Sequence, residues 1–158
     1  MRPRVYVEST IISYLTARPS REVVLKARQQ ITQDWWASQR SSFQLFASPL
    51  VRQEVARGDP EAAERRVSAL AGVPLLELTS EAKAVAKLLI GPGMVPHMYS
   101  EDALHIAIAV VHGMEYLLTW NFTHIANATA RNKYEPVLRS TGYEVPIICT
   151  PEELLQHE

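Results

Sequence analysis

Apolar residues in this chain fall in short blocks separated by longer stretches of helical periodicity. Arg4-Val5-Tyr6-Val7-Glu8 is a β-forming run that ends on an acid, and it predicts a first strand. Ser9-Thr10 then stand at the N-cap of a predicted helix that carries Ile11, Ile12, Tyr14 and Leu15. Pro19-Ser20 breaks the pattern, and a longer helix is predicted from Arg21 to Gln39 with Val24, Ala27, Ile31 and Trp35 on one stripe. Phe43 to Ala47 predicts a second strand. Ser48-Pro49 follows as an N-cap with proline at the first helical position. That helix closes near Gly58, and another runs from Pro60 to Gly72.

Val73 to Leu78 predicts a third strand, and Ser80 caps a helix through Leu89. Gly91-Pro92-Gly93 is a loop by composition. Ser100 caps the most apolar helix in the chain, which runs through Val111 and stops at Gly113. Tyr116 to Thr119 and Val145 to Cys149 predict the fourth and fifth strands, with a helix from Asn127 to Ser140 between them and a small one opening at Thr150-Pro151. Strands that alternate with helices imply crossover connections, and strands this short and apolar are those covered on both faces. The expected fold is a single domain over residues 1–158, a three-layer α/β/α sandwich around a mainly parallel sheet of about five strands.

Composition narrows the function classes. Hydrophobic residues make up 47% and charged residues 21%, which is globular usage and excludes a disordered or fibrous chain. The one cysteine, Cys149, excludes an internal disulfide and a multi-cysteine zinc site. No apolar run reaches the length of a membrane span, and the opening MRPRVYVEST lacks the apolar core of a signal peptide, so a cytoplasmic location is expected. The six glycines form neither a dinucleotide fingerprint nor a P-loop, so no nucleotide cofactor is expected. Sixteen Lys and Arg nearly cancel seventeen Asp and Glu, which argues against an extended basic face. Twelve of those sixteen cations are arginine, and Arg18, Arg21, Arg52, Arg57, Arg65 and Arg66 are candidate phosphate contacts.

Ligands of an open α/β sheet bind beyond the carboxyl ends of its strands. Glu8 ends the first strand; Ser48 ends the second and leads to Glu54; Asn121 lies two residues after Thr119. Asp102 opens the helix that leads into the fourth strand. Glu54 shares the inward stripe of Leu50, Val51 and Val55, where a carboxylate needs a partner, and Arg57 is the ordinary structural one. Asp102 has an ordinary reading too, as an acid favoured by the helix dipole, and Asn121 as a turn residue or cap. Their convergence on one sheet edge carries the functional reading. Two carboxylates 4 Å apart repel by about 4 kcal/mol in a surface-like dielectric, and a divalent cation reverses that sign. All-oxygen ligands suit Mg²⁺ or Mn²⁺, which can activate water against a phosphodiester.

The segments 5–15, 48–55, 101–107 and 117–122 together resemble the ordered motifs of PIN-domain nucleases, and in particular of VapC-type toxin ribonucleases. That resemblance implies metal-dependent endonucleolytic cleavage of RNA by a homodimer that a cognate antitoxin inhibits. It makes Glu8, Glu54 and Asp102 the acids that bind Mg²⁺ or Mn²⁺, with Asn121 at the fourth catalytic and metal position, where it would complete the ion's shell or orient water. Ser9 and Thr10 would position water or phosphate beside the first acid. Two positions depart from the family pattern. Glu8 stands where Asp is usual, and Asn121 where an acid is frequent, so three formal charges remain and the number of ions is open. The alternative is a catalytically weak or inactive PIN-like module that binds RNA or protein. A phosphatase with an aspartate nucleophile lacks its Asp-x-Asp pattern among Asp34, Asp59 and Asp102.

The remaining candidates have commoner structural roles. Trp120 beside Asn121 offers a ring for base stacking, although core packing is the usual fate of such a residue. His105 reads as a packed or hydrogen-bonded histidine, His124 follows Asn121 closely enough to face the pocket, and His97 and His112 lack partners at ligand spacing.

Overall fold

A computed structural model describes residues 1–95 and 98–155 of the chain; His97 lies outside them. Strand β1 (Arg4–Val7) leads through Glu8 into helix α1 (Ser9–Thr16), and α2 (Val23–Ser38) follows. A single 3₁₀ turn at Arg40–Ser42 precedes β2 (Gln44–Phe46), then α3 (Pro49–Val55), α4 (Pro60–Ala69) and α5 (Ser80–Leu88). The apolar helix α6 (Ser100–Val111) feeds β3 (Tyr116–Leu118), and α7 (Ala128–Ser140), β4 (Ile147–Cys149) and α8 (Pro151–Leu154) complete the chain. No described helix is long and apolar enough to cross a membrane.

The sheet has four strands in the order β2-β1-β3-β4, and every pairing is parallel. Val5 pairs with Leu45 on one side and Tyr116 on the other, and Leu117 pairs with Ile148. Successive crossovers leave β1 in opposite directions, so the strand order reverses between β1 and β3 and opens a crevice at their carboxyl ends. Helices cover both faces, and Val5, Tyr6, Val7, Leu117 and Leu118 lose all contact with solvent. Apolar residues at successive positions of these strands follow from that double cover.

The predicted strand at Val73–Leu78 is reduced to one parallel bridge, Leu75 to Ala47. The Ala47 amide donates to Pro74 O at 2.9 Å and the Leu76 amide to Ala47 O at 2.8 Å. The ladder cannot run backward because Pro74 has no N–H to offer Leu45, and it cannot run forward because β2 turns into α3 at Pro49. Helix α2 also differs from expectation. Val24 is 53% exposed and Ala27 is exposed, and the buried stripe is Gln29, Thr32 and Trp35 with Ile31 at its margin. Gln29 is there for a polar reason: its Oε1 accepts from the Ser20 amide at 2.9 Å, which fixes the loop before the helix.

Caps shift by one position at three helices. Glu8 rather than Ser9 or Thr10 caps α1, Thr79 rather than Ser80 caps α5, and Ser100 is the first residue of α6 behind an N-cap position held by Tyr99. Ser48 caps α3 as expected, its hydroxyl accepting from the Val51 amide at 3.2 Å. The difference between a buried strand and an edge bridge is measurable. Ile106→Ala, in the fully buried stripe of α6, should cost about 2–5 kcal/mol in urea denaturation, whereas Leu75→Ala should cost within about 0.5 kcal/mol. A comparable loss at Leu75 would show that 73–78 packs as an interior strand.

Candidate active site

Glu8 takes extended backbone angles at the end of β1, and its carboxylate folds back over the start of α1. Its Oε1 accepts from the Thr10 amide at 3.1 Å, the Thr10 hydroxyl, and the Thr119 hydroxyl at 2.7 Å. The same hydroxyls receive the next chain segment, Thr10 Oγ1 from the Trp120 amide at 2.8 Å and Thr119 Oγ1 from the Asn121 amide at 2.9 Å. Two threonines thus lock the carboxyl ends of β1 and β3 around one carboxylate. All three donors fall on Oε1; Oε2 has no donor among the described residues and is not sealed from solvent. Burial pushes the Glu8 carboxyl above its ordinary range, and the opposing pull of His105 and of its hydrogen bonds does not cancel that push.

Glu54 reaches the same crevice from the inward face of α3. Its Oε1 accepts from Ser9 Oγ at 2.7 Å and pairs with Nε2 of His105. Behind His105, Nδ1 meets the Tyr6 hydroxyl at 2.6 Å, and that hydroxyl meets Ser48 Oγ at 2.8 Å. Burial alone would raise the Glu54 carboxyl, but the hydrogen bond and charge of His105, with the Ser9 hydroxyl, hold it below its usual range. Burial likewise opposes the charged form of His105, and the Glu54 bond together with the charges of Glu8, Glu54 and Asp102 raises it. The Tyr6 phenol, raised chiefly by burial, stays neutral. Arg57 adds only a lesser attraction, so the expected Glu54–Arg57 pairing is replaced by Glu54–His105. An inward-facing carboxylate on α3 meets α6 before it can meet an exposed arginine just past the end of its own helix.

Asp102 is buried in the first turn of α6, one turn ahead of His105 on the same face. Its Oδ1 accepts from Asn121 Nδ2 at 3.0 Å, and its Oδ2 pairs with His124 Nδ1 at 2.8 Å. Asn121 Oδ1 accepts from the His124 backbone amide at 3.1 Å, which closes a ring of three residues. Glu8, Glu54, Asp102 and Asn121 are therefore joined through shared neighbours: Ser9 beside Glu8 holds Glu54, Thr119 holds Glu8 and Asn121, and Asn121 holds Asp102.

Two predicted contacts are not brought to this crevice. Trp120 is 4% exposed; Tyr14 stacks on its ring at 5.8 Å and 12°, and its Nε1 donates to Thr32 Oγ1 at 2.8 Å. No face remains for a base. Arg52 lies on the outer side of α3, two residues from Glu54 and so on nearly the opposite face. Conversely, Thr119, Tyr6, Ser48, His105 and His124 all serve the site. The three-residue step from Asp102 to His105 was the one sequence signal that could have placed His105 there.

Among the described residues no three His, Cys, Asp or Glu side chains form a ready cluster for a metal ion. Glu54 and Asp102 hold histidines instead. The donor chemistry nevertheless fits a hard cation, because Glu8 and Glu54 each keep one carboxylate oxygen with no donor among the described residues, and Ser9, next to Glu8 in the chain, holds Glu54. Mg²⁺ takes one or two carboxylates and keeps waters, and it does not require an all-protein cage.

No family model and no curated protein match the chain. Among solved structures, a chain of VapBC2 from Rickettsia felis, crystallised bound to a DNA fragment from their promoter, superposes with a TM-score of 0.54 at 10% identity, covering 93% of this chain and 98% of that one. The likeness is one of fold, and it is the PIN-like arrangement of a parallel sheet between helical layers.

Because the folded state holds a proton on Glu8 at pH values where the unfolded chain has released it, this carboxyl favours folding below about pH 4.3 and loses that contribution as pH rises towards its raised value. Metal-free Glu8→Gln should therefore be more stable than wild type at pH 8 in urea denaturation, with the gain shrinking on acidification. A gain that instead grew at low pH would mean that the ionised form of Glu8 is the stabilised one.

Proposed function

We propose that this chain is a Mg²⁺- or Mn²⁺-dependent endoribonuclease, the toxin member of a toxin–antitoxin pair, acting as a homodimer with an antitoxin protein as its partner. The observation that carries the reading is the arrival of Glu8, Glu54 and Asp102, from three separate elements, at the switch-point crevice between β1 and β3. The VapBC2 neighbour supports the toxin–antitoxin setting, since the matching fold there belongs to such a complex bound to promoter DNA.

In this reading Glu8, Glu54 and Asp102 hold the ion, and Asn121 stands at the fourth position. When bound, the ion supplies charge to the scissile phosphate and lowers the pKa of water. The chain's own residues do the rest. Thr10 and Thr119 occupy Oε1 of Glu8 and leave Oε2 as its ligand oxygen. His105, backed by Tyr6 and Ser48, fixes the rotamer of Glu54 and keeps it ionised. Asn121 and His124 hold Asp102 with both oxygens oriented, as outer hydrogen bonds commonly orient ligating carboxylates.

The test is cleavage of a mixed panel of structured and single-stranded RNAs with Mn²⁺. Wild type should cleave, and EDTA, Asp102→Asn and Glu54→Gln should each reduce cleavage by about 100-fold or more. Equal cleavage by wild type and variants would reject these residues as the active site. RNA binding without cleavage by any form would favour the non-catalytic binding module, to which the neutral Asn121 already points.

A further inference from the structure

A cavity of about 600 Å³ opens beside His124, the partner of Asp102, and its lining includes Tyr99, Thr123, His124, Asn127, Thr129 and Lys133. This is within the usual span of about 300–1,000 Å³ for small-ligand sites. His124 is the wall shared by cavity and acid site. The residue is only 9% exposed, and its Nδ1 is committed to Asp102 Oδ2 at 2.8 Å. An ionised carboxylate only accepts, so the Nδ1 proton points at Asp102. Nε2 makes no hydrogen bond to a described residue, and His124 is one of the side chains that line the cavity. A buried ring is thus held by one nitrogen and offers the other.

The surrounding groups have the chemistry of a nucleotide site. Tyr99 is 68% exposed and forms a T-shaped pair with His124, ring centres 5.6 Å apart at 89°, so most of its ring is accessible to a base. Lys133 is exposed and makes no salt bridge among the described residues, so its ammonium is available to a phosphate. We infer that this cavity is a ribose-reading subsite, in which Nε2 of His124 hydrogen-bonds the 2′-hydroxyl of an RNA nucleotide next to the scissile phosphate. The inference rests on the ribonuclease reading and deepens it, since it assigns the choice of RNA over DNA to one atom. A 2′-hydroxyl both donates and accepts, so it satisfies this nitrogen in either role, and DNA offers nothing there.

Asparagine and glutamine separate the two nitrogens of His124. The amide nitrogen of Asn falls near the Nδ1 position and keeps a donor for Asp102, whereas that of Gln falls near Nε2. Single-stranded RNA and DNA of one sequence, with the 2′-O-methyl RNA as a third probe, are bound to the full chain in EDTA and followed by fluorescence anisotropy. Wild type should prefer RNA by about five- to tenfold, the scale of one hydrogen bond. His124→Asn should bring that ratio within about twofold of unity with DNA affinity unchanged, and His124→Gln should retain most of it. Lys133→Ala and Tyr99→Ala, both at exposed positions, should weaken RNA and DNA alike. A ratio that His124→Asn leaves intact, or no preference in wild type, overturns the subsite. The same preparations are assayed for cleavage with Mn²⁺: cleavage with an unchanged ratio rejects the subsite alone, and a ratio that collapses without any cleavage rejects the nuclease reading alone.

Discussion

Burial of the Glu8 carboxylate between the ends of β1 and β3 is the constraint around which this molecule is arranged. A carboxylate taken out of water needs donors, and those donors come from the chain on both sides of the crevice, Thr10 at the start of α1 and Thr119 at the end of β3. The same two hydroxyls accept from the Trp120 and Asn121 amides, so the polar lock also sets where the segment after β3 goes. That placement brings Asn121 to Asp102. The geometry of the acid group is therefore a consequence of satisfying one buried charge, and of the strand-order reversal that opened the crevice.

Helix α6 supplies the second half of the site through its periodicity. Asp102 and His105 are one turn apart, and both point at the crevice from a helix otherwise buried in apolar contacts. His105 is the more consequential of the two for electrostatics. It lies among three acids, and its hydrogen bonds run from Glu54 through Tyr6 to the cap of α3. The side chain that orients Glu54 thus leans on the hydroxyl that starts Glu54's own helix. Such closed networks are stable only when every member is satisfied, and here each has a partner.

The fold is shared with a chain of the VapBC2 structure although only about one residue in ten is identical. A parallel sheet between helices asks for apolar strands and amphipathic helices, which many sequences supply, and it places strand ends at the crevice whatever their identity. Function then depends on what stands there. In this chain those positions hold Glu8, Ser48, and the run from Thr119 to Asn121, with acids from α3 and α6 brought alongside.

The order of elements, the parallel sheet and the convergence of Glu8, Glu54, Asp102 and Asn121 were legible in the sequence, because short apolar runs, proline and serine caps, and a helical stripe carrying an acid are local signals. The partners of those acids were not. A local pattern places Glu54 on the inward face of α3 but does not say that α6 lies opposite, so Arg57 stood where His105 belongs. Trp120 next to Asn121 looks available to a base, and only the packing of Tyr14 and Thr32 against it removes that face. Val73 to Leu78 has the composition of a strand, and Pro74 together with the turn into α3 leaves it a single bridge. Chain-local chemistry determined which elements form and which residues stand at their ends. Long-range packing decided which donor each buried acid meets, because a desolvated charge selects its partner in space rather than along the sequence.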